Sequence, residues 1–162
     1  MNDAVPTPAA SPDASPPRHV AWLGYGGLVP FVGLAAASLL GVEPRTTSLA
    51  LLAYGAVILS FVGALHWAFA MLLPQLAVMR RTWMYAWSTV PALIAWCALL
   101  LEPRVGSVIL VMAFALHYLQ DRRLSVQGLL PAWYLPLRLR LSTVAIVCLL
   151  APGLKAAATG AT

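Results

Sequence analysis

The chain has 162 residues, of which 61% are hydrophobic and only 9% charged, with a net charge of +5. A soluble domain carries about a quarter charged residues and has too little interior to hide so many leucines, so a water-soluble globule is excluded and a bilayer is implied. The basic residues are spread over helix ends and loops rather than gathered into one patch, which excludes nucleic acid as a partner.

In chain order, residues 1–18 read "MNDAVPTPAASPDASPPR". This stretch of Pro, Ala, Ser and Asp cannot build a core, and a disordered tail is expected. It lacks the basic start of a secretory signal. Cleavage after Ala35-Ala36-Ala37 is set aside because the repeat described below needs the first helix.

Residues 19–155 form a single transmembrane domain, with a short tail at 156–162. A spanning helix needs roughly 20 apolar residues. Val20–Leu40, Leu49–Leu73 and Trp83–Leu101 satisfy this without a charge. Val105–Leu119 is short. Leu141–Leu154 is shorter and must borrow Leu137 and Leu139. In lipid each backbone N–H and C=O must be satisfied within its own segment, so all five segments are helices. The expected fold is therefore an all-α polytopic membrane bundle of about five spans.

A repeat underlies four of them. Residues 55–67, "GAVILSFVGALHW", and 106–118, "GSVILVMAFALHY", are identical at seven of thirteen positions. "VPFVGLAAASLLGVEPR" precedes the first copy and "VPALIAWCALLLEPR" the second. Both run Val-Pro, apolar helix, Glu-Pro-Arg, next helix. This pattern predicts tandem two-helix hairpins, about 20–73 and 83–120, with a fifth helix at about 138–154 outside the repeat. Residues 121–137 are expected to form a loop. Within it, 124–137 would lie along the membrane surface, with Leu129, Leu130, Trp133 and Tyr134 in the headgroup region and Arg138 and Arg140 reaching phosphates or a partner protein.

Five spans put Arg18, Arg80, Arg81, Arg122, Arg123, Arg138 and Arg140 on one side and Arg45, Arg104 and Lys155 on the other. The positive-inside rule then places the N-terminus in the cytoplasm and the C-terminus in the periplasm. Trp22, Tyr25, Trp67, Trp83, Tyr85, Trp87, Tyr118, Trp133 and Tyr134 gather near the same inner edge, as interfacial aromatics do.

The repeat places His66 and His117 at equivalent depths, one per hairpin. Two histidines on different spans can ligate haem b axially or flank a quinone head. Trp67 and Tyr118 follow them, and Asp121 lies at i+4 from His117, on the same helical face. An interfacial anchor or an interhelical hydrogen bond is the plain alternative. The two are expected to lie close together, shielded from lipid, with Asp121 near His117. Cys97 and Cys148 sit in apolar helices with no metal-binding spacing, and buried small hydrophobes are expected. The stripe Ala56, Ser60, Ala64 offers close helix contact.

The stretches "LGYGGLVPF" (23–31), "YGAVILSFVGALHW" (54–67), "LHYLQDRR" (116–123) and "PAWYLPLRLRLS" (131–142) together resemble the domain-of-unknown-function 3429 family, similar to transmembrane protein 69 of animal mitochondria. The resemblance covers about residues 20–153. One departure is Ala68, where the family commonly has Gly after His-Trp. The resemblance implies an integral protein of bacterial inner membranes or mitochondria and implies no activity.

Three functions remain. The first is an accessory or assembly factor for a larger membrane complex, acting through lipid, a membrane-protein partner or a second copy. The second is a quinone-, lipid- or haem b-binding protein using His66 and His117. The third is a small transporter, which the absence of Asp, Glu, Lys and Arg from the span centres disfavours. No enzyme motif, catalytic residue or metal-ligand spacing is legible. Ser60, Ser88 and Thr89 are expected to bond their own backbones.

Overall fold

A computed structural model describes residues 15–158, so most of the expected tail at 1–18 lies outside the described residues. The described chain is an all-α bundle: α1 (Arg18–Gly26), α2 (Val29–Leu40), α3 (Pro44–Leu72), α4 (Val78–Leu99), α5 (Pro103–Val126) and α6 (Tyr134–Ala158). α1 and α2 together make the first apolar rod, broken at Gly27-Leu28 ahead of Pro30. The Tyr54 hydroxyl donates to the Gly27 carbonyl at 2.8 Å, giving a partner to one group the break exposes. The second Val-Pro does not break its helix. Pro91 sits inside α4, where the Ser88 and Thr89 hydroxyls bond the carbonyls of Tyr85 and Ala86 in the turn before it. Ser60 likewise donates to the Ala56 carbonyl.

The Glu-Pro-Arg turns start helices by two routes. Glu102 accepts from the backbone N–H of Arg104 and Val105, a side-chain cap for α5. Glu43 makes no such bond and takes a positive φ of 39° after Gly41, whose φ of 81° closes α2. At the same end Lys155 donates to the Leu39 carbonyl at 2.6 Å, covering the last turn of α2.

α3 is the central helix and touches α2, α4, α5 and α6. The core is Phe31 from α2, Leu51, Leu52, Leu59 and Val62 from α3, Ala95 and Ala98 from α4, Leu110, Ala113 and Phe114 from α5, and Ala145 and Leu149 from α6. The repeat's matching positions turn inward together. Leu59 and Leu110, Val62 and Ala113, and His66 and His117 are all buried.

The outer surface is apolar along its length, with Val57, Phe61, Leu93, Met112 and Val147 all exposed. Such a surface needs lipid. The first rod, α3 and α6 are long and apolar enough to cross a membrane by length and composition. α4 and α5 are of spanning length but carry more polar groups, of which Ser88, His117 and Asp121 are buried in the interior. The protein is a multi-pass membrane helical bundle.

Three expectations change. The loop 121–137 is helical at both ends and shrinks to residues 127–133. No Gly or Pro follows Asp121 until Gly128, whose φ is 69°, so α5 runs on to Val126. α6 starts early because Pro136 falls in its first turn, where a missing N–H costs nothing. Leu129 and Leu130 pack against a second apolar cluster of Ala70, Leu76, Met84 and Leu124 instead of entering headgroups. Cys148 is buried but Cys97 is exposed on the outside of α4. Of the stripe Ala56, Ser60, Ala64, only Ala56 is buried. Inside the bundle a close helix contact is at Gly63, where an added Cβ would stand 2.8 Å from the Pro91 ring.

Candidate functional site

Four helices bring polar side chains to one end of the bundle. α5 supplies His117 and Asp121, one turn apart on its inner face. α3 supplies His66, α4 Trp87, and α6 Tyr134 and Arg138, again one turn apart. Asp121 and His117 are 0% exposed, His66 2% and Arg138 7%. Charged groups at such depth are costly and persist only where they are paired or used.

Asp121 is the centre. Its Oδ2 accepts from Arg138 Nε at 2.9 Å and from the Tyr134 hydroxyl at a long 3.4 Å. Among the described residues its Oδ1 has no hydrogen-bond partner. Two imidazole nitrogens face that oxygen, His66 Nε2 at 3.7 Å and His117 Nε2 at 3.9 Å. Both distances exceed hydrogen-bond length. The imidazoles meet edge to face with centroids 4.7 Å apart.

The His117 ring is held from behind. Trp87 Nε1–H donates to His117 Nδ1 at 3.3 Å, with the two ring planes parallel to within 4°. Nδ1 therefore accepts, and the neutral ring carries its proton on Nε2, on the side of Asp121. The Val62 carbonyl faces this ring without reaching hydrogen-bond geometry. Neither nitrogen of His66 has a hydrogen-bond partner among the described residues. His66 packs its edge against Phe69, which meets Tyr134 in turn.

The sequence-predicted residues divide accordingly. His66, His117 and Asp121 converge. Trp67 is half-exposed and packs against Tyr85, away from the cluster. Tyr118 is half-buried on the flank of α5. Trp133 is half-buried beside Tyr134. Arg140 is exposed and reaches the Tyr25 hydroxyl at 3.4 Å. Tyr134 and Arg138, expected to face lipid or a partner, face inward to Asp121. A buried carboxylate draws the nearest guanidinium, and α6 carries Tyr134 on the same face at i, i+4. Trp87 was expected only as an interfacial aromatic. Its signal lies in the register of α4, where it shares the inward face with Met84, Ser88 and Pro91.

The space at the cluster limits what it can hold. A cavity of about 30 Å³ lies beside His66, lined by Arg80, Trp83, Met84, Trp87, Gln120 and Leu124. This is room for about one water, not for a quinone ring. Haem fits no better. Axial imidazoles sit on opposite faces of a macrocycle, whereas these two are in edge-to-face contact. The larger cleft, about 720 Å³, is at the opposite end, among Arg45, Glu102 and Pro152.

The sequence profile described as "Protein of unknown function (DUF3429)" matches residues 16–152. Transmembrane protein 69 of Xenopus tropicalis is 37% identical over 139 residues, covering 82% of this chain and 53% of that protein. The chain thus spans about half the length of the curated relative it matches. No solved structure matches. With its profile matched from the first helix into the last, the chain belongs to the DUF3429 family.

Proposed function

We propose that this protein is an accessory component of a larger complex in a bacterial inner membrane, and that its own chemistry is to hold a small polar ligand at His66, His117 and Asp121. The observation that carries the reading is Asp121 Oδ1, an unpartnered carboxylate oxygen with two imidazoles turned towards it. Buried polar atoms normally have partners, and a buried polar cluster left open at the end of a membrane bundle fits a binding site. The small cavity favours an ion or a water-sized occupant over quinone, lipid headgroup or haem. Transport ranks lower because Phe31, Leu59, Leu110 and Phe114 close the middle of the bundle beyond the cluster.

Tagged wild-type, His66→Gln and Asp121→Asn chains, extracted in mild detergent, are compared for the proteins and small molecules that remain bound. Wild type should retain a low-mass component and membrane partners, and the two variants should lose the component. Identical profiles for all three would sink the reading.

The cluster end faces the cytoplasm in this proposal. Arg138 turns inward, so the surface charges there are Arg18, Arg80, Arg81, Arg122, Arg123 and Arg140, against Arg45, Arg104 and Lys155 opposite. Six against three still favours a cytoplasmic N-terminus. A fluorescent protein fused after Thr162 should be dark and alkaline phosphatase there active. A bright C-terminal fusion overturns the orientation.

A further inference from the structure

We infer that the occupant of the cluster is a first-row divalent transition-metal ion, ligated by His66, His117 and Asp121 Oδ1. The inference rests on the small-ligand reading above and narrows it. One donor atom from each of the three residues lies within 4.8 Å of the others, and all three residues are buried.

The distances favour an ion over direct contact. At 3.7 and 3.9 Å, Oδ1 is too far from either imidazole for a hydrogen bond. Two bonds of about 2.1 Å to a shared ion allow nitrogen and oxygen up to about 4.2 Å apart. Both oxygen–nitrogen gaps fall inside that reach, and the donor set as a whole, spread over up to 4.8 Å, must draw together for one ion to touch all three.

The donor set selects the class of ion. Two imidazoles and one carboxylate suit iron(II), cobalt(II) or zinc. Magnesium and calcium take all-oxygen shells, and copper(I) prefers thiolate or thioether. The neighbours do what groups around a metal do. Arg138 and Tyr134 occupy Oδ2 and aim the remaining oxygen at the histidines. The cavity beside His66 has room for one water and borders Arg80 and Gln120 at the bundle end. The cavity touches His66 but not His117 or Asp121, so it offers a path from the bundle end as far as His66.

Trp87 opposes the metal. It donates to His117 Nδ1, which places the ring's proton on Nε2, the nitrogen an ion needs. Ligation through Nε2 moves that proton to Nδ1 and confronts it with the indole N–H. Metal binding therefore displaces Trp87 from His117, and removing the indole donor should tighten binding.

The probe is cobalt(II), added to metal-stripped full-length protein in detergent micelles. Wild type should take one ion per chain and show visible ligand-field bands. His66→Gln and His117→Gln should each abolish the bands. Arg138→Lys should weaken binding about 10- to 100-fold, the range for groups that orient a ligand. Trp87→Phe should bind more tightly than wild type. X-ray absorption at the cobalt edge of the wild type should show two imidazole nitrogens, a readout independent of any variant's folding. Cobalt binding that survives His66→Gln, an edge spectrum without imidazole, or a folded wild type that takes no cobalt each overturns the inference. In that last case, a low-mass component that still depends on His66 in the detergent comparison keeps the small-ligand reading and removes only the metal.

Discussion

Replacing Arg138 by methionine should destabilise the folded bundle by about 3–5 kcal/mol, the cost of stripping one partner from a buried ion pair. Asp121 is 0% exposed and its one close donor is Arg138 Nε at 2.9 Å. The Tyr134 hydroxyl, at 3.4 Å, is too distant to replace it. Methionine has similar length and keeps the packing along α6, so the loss is electrostatic. The diagnostic is the second change. Arg138→Met with Asp121→Asn removes both charges and should recover most of the loss, because a buried pair contributes little net stability over a neutral replacement. Arg138→Lys should fall between, since an ammonium keeps the charge but loses the planar donor geometry. Thermal unfolding of the four chains in one detergent measures the series. An Arg138→Met chain as stable as wild type would mean that Asp121 is not paired there. Equal damage in the single and double variants would assign the cost to packing.

How much of this site the sequence shows depends on where each residue sits in its helix. His66 and His117 are legible because the repeated phrase puts them at the same register, fifty-one residues apart. Asp121 is legible because it lies one turn beyond His117. Arg138 and Tyr134 are not. Tyr134 lies between Pro131 and Pro136 and Arg138 just beyond, in a leucine-arginine stretch that looks like an interfacial loop. Their inward face appears only once Pro136 is accepted as a first-turn residue. α6 then carries Tyr134, Arg138, Ser142, Ala145 and Leu149 along one buried stripe. The small-residue stripe on α3 does not mark the inward face, for a related reason. Spacing by four finds a face but not which face, and the buried one holds Gly55, Leu59, Val62, Gly63 and His66. The membrane class, by contrast, follows from composition alone and needs no register.

Glycines on that inward face should give the second large effect, and they separate packing from helix propensity. Gly106→Ala should destabilise the bundle by about 2 kcal/mol. An alanine Cβ there would stand 2.5 Å from the Ala98 carbonyl oxygen and 3.0 Å from Leu52. The first contact is backbone, so it is relieved only by moving α5 away from α4. Overpacking of this kind costs about 1–3 kcal/mol, and a rigid contact belongs at the upper end. Alanine returns up to about 1 kcal/mol of helix propensity. The repeat supplies the comparison. Gly55, its counterpart, would place a Cβ 3.1 Å from the side-chain ends of Leu110 and Leu149, which can rotate, so Gly55→Ala should cost clearly less. Gly33 in α2 has nothing within 4 Å of the added atom, so Gly33→Ala should be neutral or stabilising. The expected order of unfolding temperature is Gly33→Ala, Gly55→Ala, then Gly106→Ala. If Gly106→Ala matches Gly33→Ala, the close approach of α4 and α5 is wrong. The hairpin that carries His117 and Asp121 to the cluster would then need a different packing.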